Sequence, residues 1–188
     1  MDSADKREIT RFLVDWRNGD GAARDELLSA VYDELRRRAG KIMASERTGH
    51  TLQPTALVHE ALMRFERSMP ESIDNRLHFY ALVSRIMRQL LIDHARTRSA
   101  DKRGGKSLNF SLSDLDAPVE DRAASIVALN EAINVLEKED ARLATVVEMR
   151  FFGGMSNAEI AEALDISERT VIREWHSARL WLYNYLSE

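Results

Sequence analysis

The chain has 188 residues, no cysteine, 44% apolar residues and a formal net charge of -4. Its length and apolar content suit one or two small globular domains, and the missing cysteines exclude a disulfide framework, a thiolate zinc site and a cysteine nucleophile. The acidic balance, with a pI near 5.8, opposes a protein that holds DNA alone by neutralising phosphates, for which a basic domain is expected. Nothing in the sequence resembles a signal peptide or a membrane span, and the composition suits a reducing cytoplasm.

Helical spacing dominates the first half. Ile9, Phe12, Leu13 and Trp16 form one apolar face, stopped by Asn18-Gly19-Asp20-Gly21. Leu27, Leu28, Val31, Leu35, Ile42 and Met43 predict a longer second helix. A third carries Leu57, Val58, Ala61, Leu62 and Phe65, with Pro54 in its first turn, where the missing N–H costs little. Phe79, Leu82, Val83, Ile86, Leu90 and Leu91 carry a fourth, which turns basic toward Arg98.

Charge then switches sign. From Arg85 to Lys106 the chain holds Arg85, Arg88, Arg96, Arg98, Lys102, Arg103 and Lys106 against only Asp93 and Asp101. From Ser107 to Asp121 it holds Asp114, Asp116, Glu120 and Asp121 and no base. With Gly104-Gly105, a Ser-rich stretch and Pro118, this reads as a linker.

Beyond it, Ile126, Leu129, Ile133 and Leu136 predict one helix, and Leu143, Val146, Val147 and Phe151 another that closes at Gly153-Gly154. From Ser156 the chain spells a helix-turn-helix in which both helices have a start signal. Ser156 with Glu159 is a capping box, followed by the stripe Ile160, Ala161 and Leu164. Asp165-Ile166-Ser167 is a tight turn; Asp tolerates the left-handed conformation there, and Ser167 caps the next helix. In that last helix Val171, Trp175 and Ala178 face inward, so Glu168, Arg169, Arg173, His176 and Arg179 are expected to project outward, as a helix entering the major groove requires. An ordinary packed helix pair with a solvated face is the plainer reading, but the doubled cap, short turn and small Ala161 at the crossing speak against it. No alternating strand pattern or repeat occurs. The expected fold is all-α: two helical domains, 1–99 and 124–188, joined by a flexible linker at 100–123.

Two helical modules on a polar tether, the second ending in a helix-turn-helix, resemble the extracytoplasmic-function sigma factors, which direct bacterial RNA polymerase to promoters. The stretch Ala56-Leu57-Val58-His59-Glu60-Ala61-Leu62-Met63-Arg64 is similar to that family's core-binding helix. Phe79 to Arg98, with Ile92-Asp93-His94, looks like its promoter-melting helix. Leu143 to Phe152 and Ser156 to Leu182 resemble the module that reads the upstream promoter element. The likeness spans nearly all of residues 7–186.

The resemblance implies site residues. A loop near Asp74 to His78 captures a non-template base of the minus-ten element, which assigns Asn75, Arg76, His78, Tyr80, Arg85, Arg88, Gln89 and Arg96 to that strand. A basic groove beside aromatics can hold phosphates and stack a base, although Phe79 reads as core and Tyr80 stays open between core and DNA. The resemblance puts Ser167, Glu168, Arg169, Thr170, Arg173 and His176 at the minus-thirty-five element, and Gln53, Thr55, Leu57, His59 and Glu60 at core polymerase. One departure stands out. Many relatives carry acids just before the core-binding helix; this chain has Gln53-Pro54-Thr55-Ala56, with Thr51 close by. Thr51 and Thr55 are therefore either helix caps or sites where a Ser/Thr kinase restores the charge. The partners implied are core RNA polymerase and promoter DNA, with a kinase or an anti-sigma factor in control, and a monomer when free.

Catalytic signatures are weak. His59-Glu60 begins like a zinc-protease motif, but Met63 stands at the second ligand position. Gly105-Lys106-Ser107 ends like a phosphate-binding loop, yet Ala100 replaces its leading Gly and no strand precedes it. Neither an enzyme, a metal nor a cofactor is expected. The rival reading is a dimeric helix-turn-helix regulator with an N-terminal helical sensor domain, which binds paired half-sites unaided.

Overall fold

The computed structural model describes residues 3–43, 52–68, 73, 75–101 and 123–187. Helix α1 (Ser3–Arg17) stops where Gly19 takes φ 97°, and the Asp20 carboxylate then accepts the Ala22 and Ala23 N–H groups at 2.9 and 3.3 Å to start α2 (Gly21–Met43). Helix α3 spans Pro54–Ser68. Asn75 Oδ1 accepts the His78 N–H at 2.9 Å and so caps α4 (Arg76–Asp101). Helix α5 covers Ala123–Glu139; the part of the predicted linker numbered 102–122 lies outside the described residues.

Asp140 caps α6 (Ala141–Val147), accepting from the Arg142 and Leu143 N–H groups. The chain continues as a wider π-helical turn over Glu148–Phe152, sealed by the Gly153 N–H on the Glu148 carbonyl at 3.0 Å, five residues back. Gly153 is required here, because an added Cβ would overlap Ser84 Oγ of α4 and the Met149 carbonyl oxygen. The capping box of Ser156 and Glu159 starts α7 (Asn157–Leu164); Asp165 takes the left-handed conformation, φ 52°, and Ser167 Oγ accepts the Thr170 N–H at 3.1 Å to start α8 (Glu168–Ser187). All described elements are helical, as the spacing predicts, and none is long and apolar enough to cross a membrane.

Helix α4 is the central beam. One side packs on α3, where Phe65 meets Phe79 edge-on at 4.9 Å and Trp16 at 5.9 Å. The other side packs on α5 and on the π-helical turn. One apolar cluster therefore runs from Ile9 through Leu57, Val83 and Leu129 to Leu182, joining the two halves through a shared core.

Candidate nucleic-acid interface

The last two helices meet the expectation for their inner face. Val171, Trp175, Ala178 and Leu182 are buried, while Glu168, Arg169, Arg173 and His176 are exposed and Thr170 is half-buried. Ser167 is exposed, and its hydroxyl contacts Thr170 Oγ1 at 2.9 Å besides capping α8. Arg179 departs from the expected outward pattern. It is half-buried, with its guanidinium 6.0 Å from the Trp175 ring centre, so it belongs to the packing of the helix. Arg142 reaches the buried Glu174 at 2.6 Å and Trp181 donates to Glu139 at 2.9 Å, tying α8 to α6 and to the end of α5.

The first half distributes its predicted site residues less uniformly. Asn75, His78, Arg85, Gln89 and Arg96 are exposed. Asn75 is committed to capping α4, and Gln89 donates to Asp93 at 2.9 Å. Arg76 and Arg88 are buried rather than facing solvent, and Tyr80, which the sequence leaves open between core and DNA, is buried too. Arg76 lies 3.2 Å from Glu162 and its backbone N–H donates to Thr10 Oγ1 at 3.3 Å. Arg88 divides its donors among Asn130 (2.8 and 3.1 Å), Asn134 (2.6 Å) and Glu148 (3.3 Å). Tyr80 is 1% exposed, its hydroxyl has no hydrogen-bond partner, and burial pushes its pKa up to about 12.

Among the residues assigned to polymerase, Gln53 and His59 are exposed, Thr55 and Glu60 half-buried, and Leu57 fully buried. Leu57 is thus a core residue of α3, set inward by the same apolar spacing that predicts the helix. His59 lies 5.4 Å from the Tyr32 ring, and Glu60 pairs with Arg64 at 3.3 Å. The first turn of α3 holds no acid. Thr51 lies outside the described residues.

Sequence reasoning missed Arg38. It ends the run Arg36-Arg37-Arg38, and unlike the exposed Arg36 and Arg37 it is 4% exposed. Its Nε donates to Glu34 at 2.7 Å, Nη2 to Glu159 at 2.7 Å and Nη1 to the Gly153 carbonyl at 3.1 Å, while the guanidinium lies 4.6 Å above the Tyr80 ring. Burial opposes its charge, but Glu159 and Glu34 outweigh that and hold the pKa above the usual arginine value. Burial likewise works against ionised Glu159, and the Ser156 N–H and Arg38 prevail, so its pKa is lowered. Glu148 was missed too; it is a buried acid between Val147 and Met149, within reach of both Arg85 and Arg88. An acid inside an otherwise apolar helical run was the available signal.

The class of protein that the structure defines is all-helical, ending in a helix with a charged, exposed face. Residues 6–188 match the ECF sigma factor family, and the chain belongs to that family. It is accordingly a sigma factor, a non-enzymatic initiation factor whose partners are core RNA polymerase and promoter DNA. No curated protein matches the sequence.

Proposed function

We propose that the two halves divide promoter recognition between them. Helix α3 and the residue before it, through Gln53, Thr55, His59 and Glu60, dock on core polymerase, and the α4 side bearing the exposed His78, Arg85, Gln89 and Arg96 holds the minus-ten strand. Helix α8 reads the minus-thirty-five element through Ser167, Glu168, Arg169, Thr170, Arg173 and His176. The observation that carries this reading is the first half of α8, where those polar groups line one surface while Val171 and Trp175 fix the opposite one in the core. Over half of protein–DNA hydrogen bonds go to phosphate and sugar, so only some of these side chains touch bases. The protein works in the cytoplasm, where its polymerase is.

Control falls to the start of α3. No acid stands in its first turn, and a phosphothreonine at Thr51 or Thr55 adds about -1.5 to -2 charges at pH 7, placed where the helix dipole favours them. A Ser/Thr kinase thereby switches core binding on. An anti-sigma factor is the other form of control compatible with this architecture.

The test of recognition is transcription by core polymerase on a pool of genomic fragments, with and without the chain, read by sequencing RNA 5′ ends. Chain-dependent start sites preceded by shared elements are expected, with Arg169→Ala and Arg173→Ala weakening those that depend on the upstream element. Absence of any chain-dependent start would refute the reading. The test of the switch is core binding by Thr51→Glu and Thr55→Glu, which must exceed wild type.

A further inference from the structure

A groove of about 680 Å³ opens between α3, α4 and α5, a size within the range of about 300–1,000 Å³ that small-molecule sites occupy. Arg64 and Arg67 of α3 and Arg85, Arg88 and Arg96 of α4 line it, against two carboxylates, Glu137 and Glu148. Those acids do not neutralise the wall. Arg88 lies 3.3 Å from Glu148, and Arg85 lies 3.4 Å from Glu148 and 3.3 Å from Glu137. Arg64 is held by Glu60 and Asp93. Arg67 and Arg96 are exposed and meet no carboxylate among the described residues. Positive charge is therefore in excess, on side chains whose planar forks suit phosphate oxygens.

The spacing of these cations sets the length of the anion they fit. Arg85 and Arg96 are eleven residues apart on α4, about 16 Å at 1.5 Å per residue. One phosphate cannot engage both ends, whereas a chain of phosphates attached to a larger group can. The remaining lining is not what a bare polyanion needs. Asn130 and Asn134 give their Oδ1 atoms to Arg88 at 2.8 and 2.6 Å, which leaves their Nδ2–H groups as donors, and amide side chains pair with the edges of bases. Leu82 and Ile86 add a half-buried apolar surface on which the face of a ring can rest. Glu137 repels phosphate but accepts from a hydroxyl, as an acid does toward the ribose in dinucleotide sites.

The geometry points to a binding site for a nucleoside polyphosphate in this groove, its phosphates held by Arg67, Arg85 and Arg96 and its nucleoside by Glu137, Asn134 and the Leu82–Ile86 surface. Arg85 and Arg96 also belong to the minus-ten surface proposed above, so a nucleotide and the strand are alternative occupants of α4. Binding itself does not depend on that reading.

Isothermal titration of the purified chain in low-salt, magnesium-free buffer tests the site without polymerase or promoter. The probes are ATP, GTP, CTP, UTP, inorganic triphosphate, adenosine and a single-stranded decanucleotide. At least one nucleotide is expected to bind once per chain and about tenfold more tightly than inorganic triphosphate, with adenosine alone too weak to saturate. Arg67→Glu and Arg96→Glu should each weaken the nucleotide by about tenfold or more, the scale of a lost charge-assisted contact. Arg36→Glu makes the same charge change at an exposed residue of α2 that does not line the groove, and should stay within twofold of wild type. Glu137→Ala should strengthen inorganic triphosphate and so narrow its gap to the nucleotide. Both groove arginines are exposed, so each variant should keep its helicity by circular dichroism; if one does not, the other and the wild-type panel decide. Any of four results overturns the site: no nucleotide bound at millimolar concentration, inorganic triphosphate bound as tightly as every nucleotide, equal weakening by Arg36→Glu and Arg67→Glu, or the decanucleotide bound more tightly than all the nucleotides, which assigns the groove to a strand.

Discussion

Replacing Arg38 by alanine removes one guanidinium from four contacts at once: two carboxylates, one carbonyl and one aromatic face. Breaking a fully buried ion pair costs about 3–5 kcal/mol and an exposed one about 0–1. Arg38 itself is buried, but the stranded Glu34 and Glu159 side chains are 16% and 21% exposed and can be rehydrated. An intermediate loss of about 2–3 kcal/mol follows, including the contact with Tyr80. Glu34 lies on the same helix, whereas Glu159 and Gly153 lie across the interface, so most of the loss falls on the coupling between halves. Amide hydrogen exchange reads this directly, because α1–α3 and α5–α8 report separately. In wild type both sets should open together; in Arg38→Ala the second half should exchange faster while the inner amides of α1 and α2 retain protection. Arg38→Lys should fall between, since a single ammonium cannot reproduce the fork. If Arg38→Ala changed urea stability by less than about 0.5 kcal/mol and left both sets coincident, the claim that this residue pins the halves would be refuted.

Other outcomes follow from the same geometry. Glu159 has a lowered pKa in the folded chain, so its ionised form stabilises the fold above the ordinary carboxyl value of 4.5, and that contribution disappears as pH falls below it through the folded value; acid titration of the exchange signal should show this loss, and Glu159→Gln should flatten it. Tyr80→Phe deletes a buried hydroxyl that has no partner, so thermal unfolding should show unchanged or raised stability, by up to about 1 kcal/mol. Asp165→Gly removes the strain of a left-handed aspartate and should raise stability by up to about 1 kcal/mol, whereas Asp165→Ala should lower it by a similar amount. Chemical denaturation of the two Asp165 variants side by side checks the opposite signs.

The local grammar of the chain was readable residue by residue. Capping at Ser156 and Ser167, the left-handed Asp165 and the helix stop at Gly153-Gly154 each depend on a few neighbours along the backbone, so helical spacing and cap chemistry suffice to place them. Phe79 as core and Val171, Trp175 and Ala178 as an inner face were likewise legible, since periodicity identifies which side of a helix is apolar. The candidate site was legible only as a set of residue types. Arg85, Gln89 and Arg96 are at the surface, while Arg76 and Tyr80 lie with Val83 and Met87 on the opposite, buried side of α4, and Arg88, close to Arg85 around the helix, is buried only because α5 and the π-helical turn cover it.

Sequence by itself determined the helices, their ends and the charge that each carries. Tertiary structure alone decided which of those charges meet. Arg38 and Glu159 are 121 positions apart, and Arg88 and Glu148 are 60 apart. Helical periodicity extends over a turn or two and carries no information across such distances; a cation's partner is chosen by the packing of α4 against the π-helical turn and by the close approach that Gly153 allows.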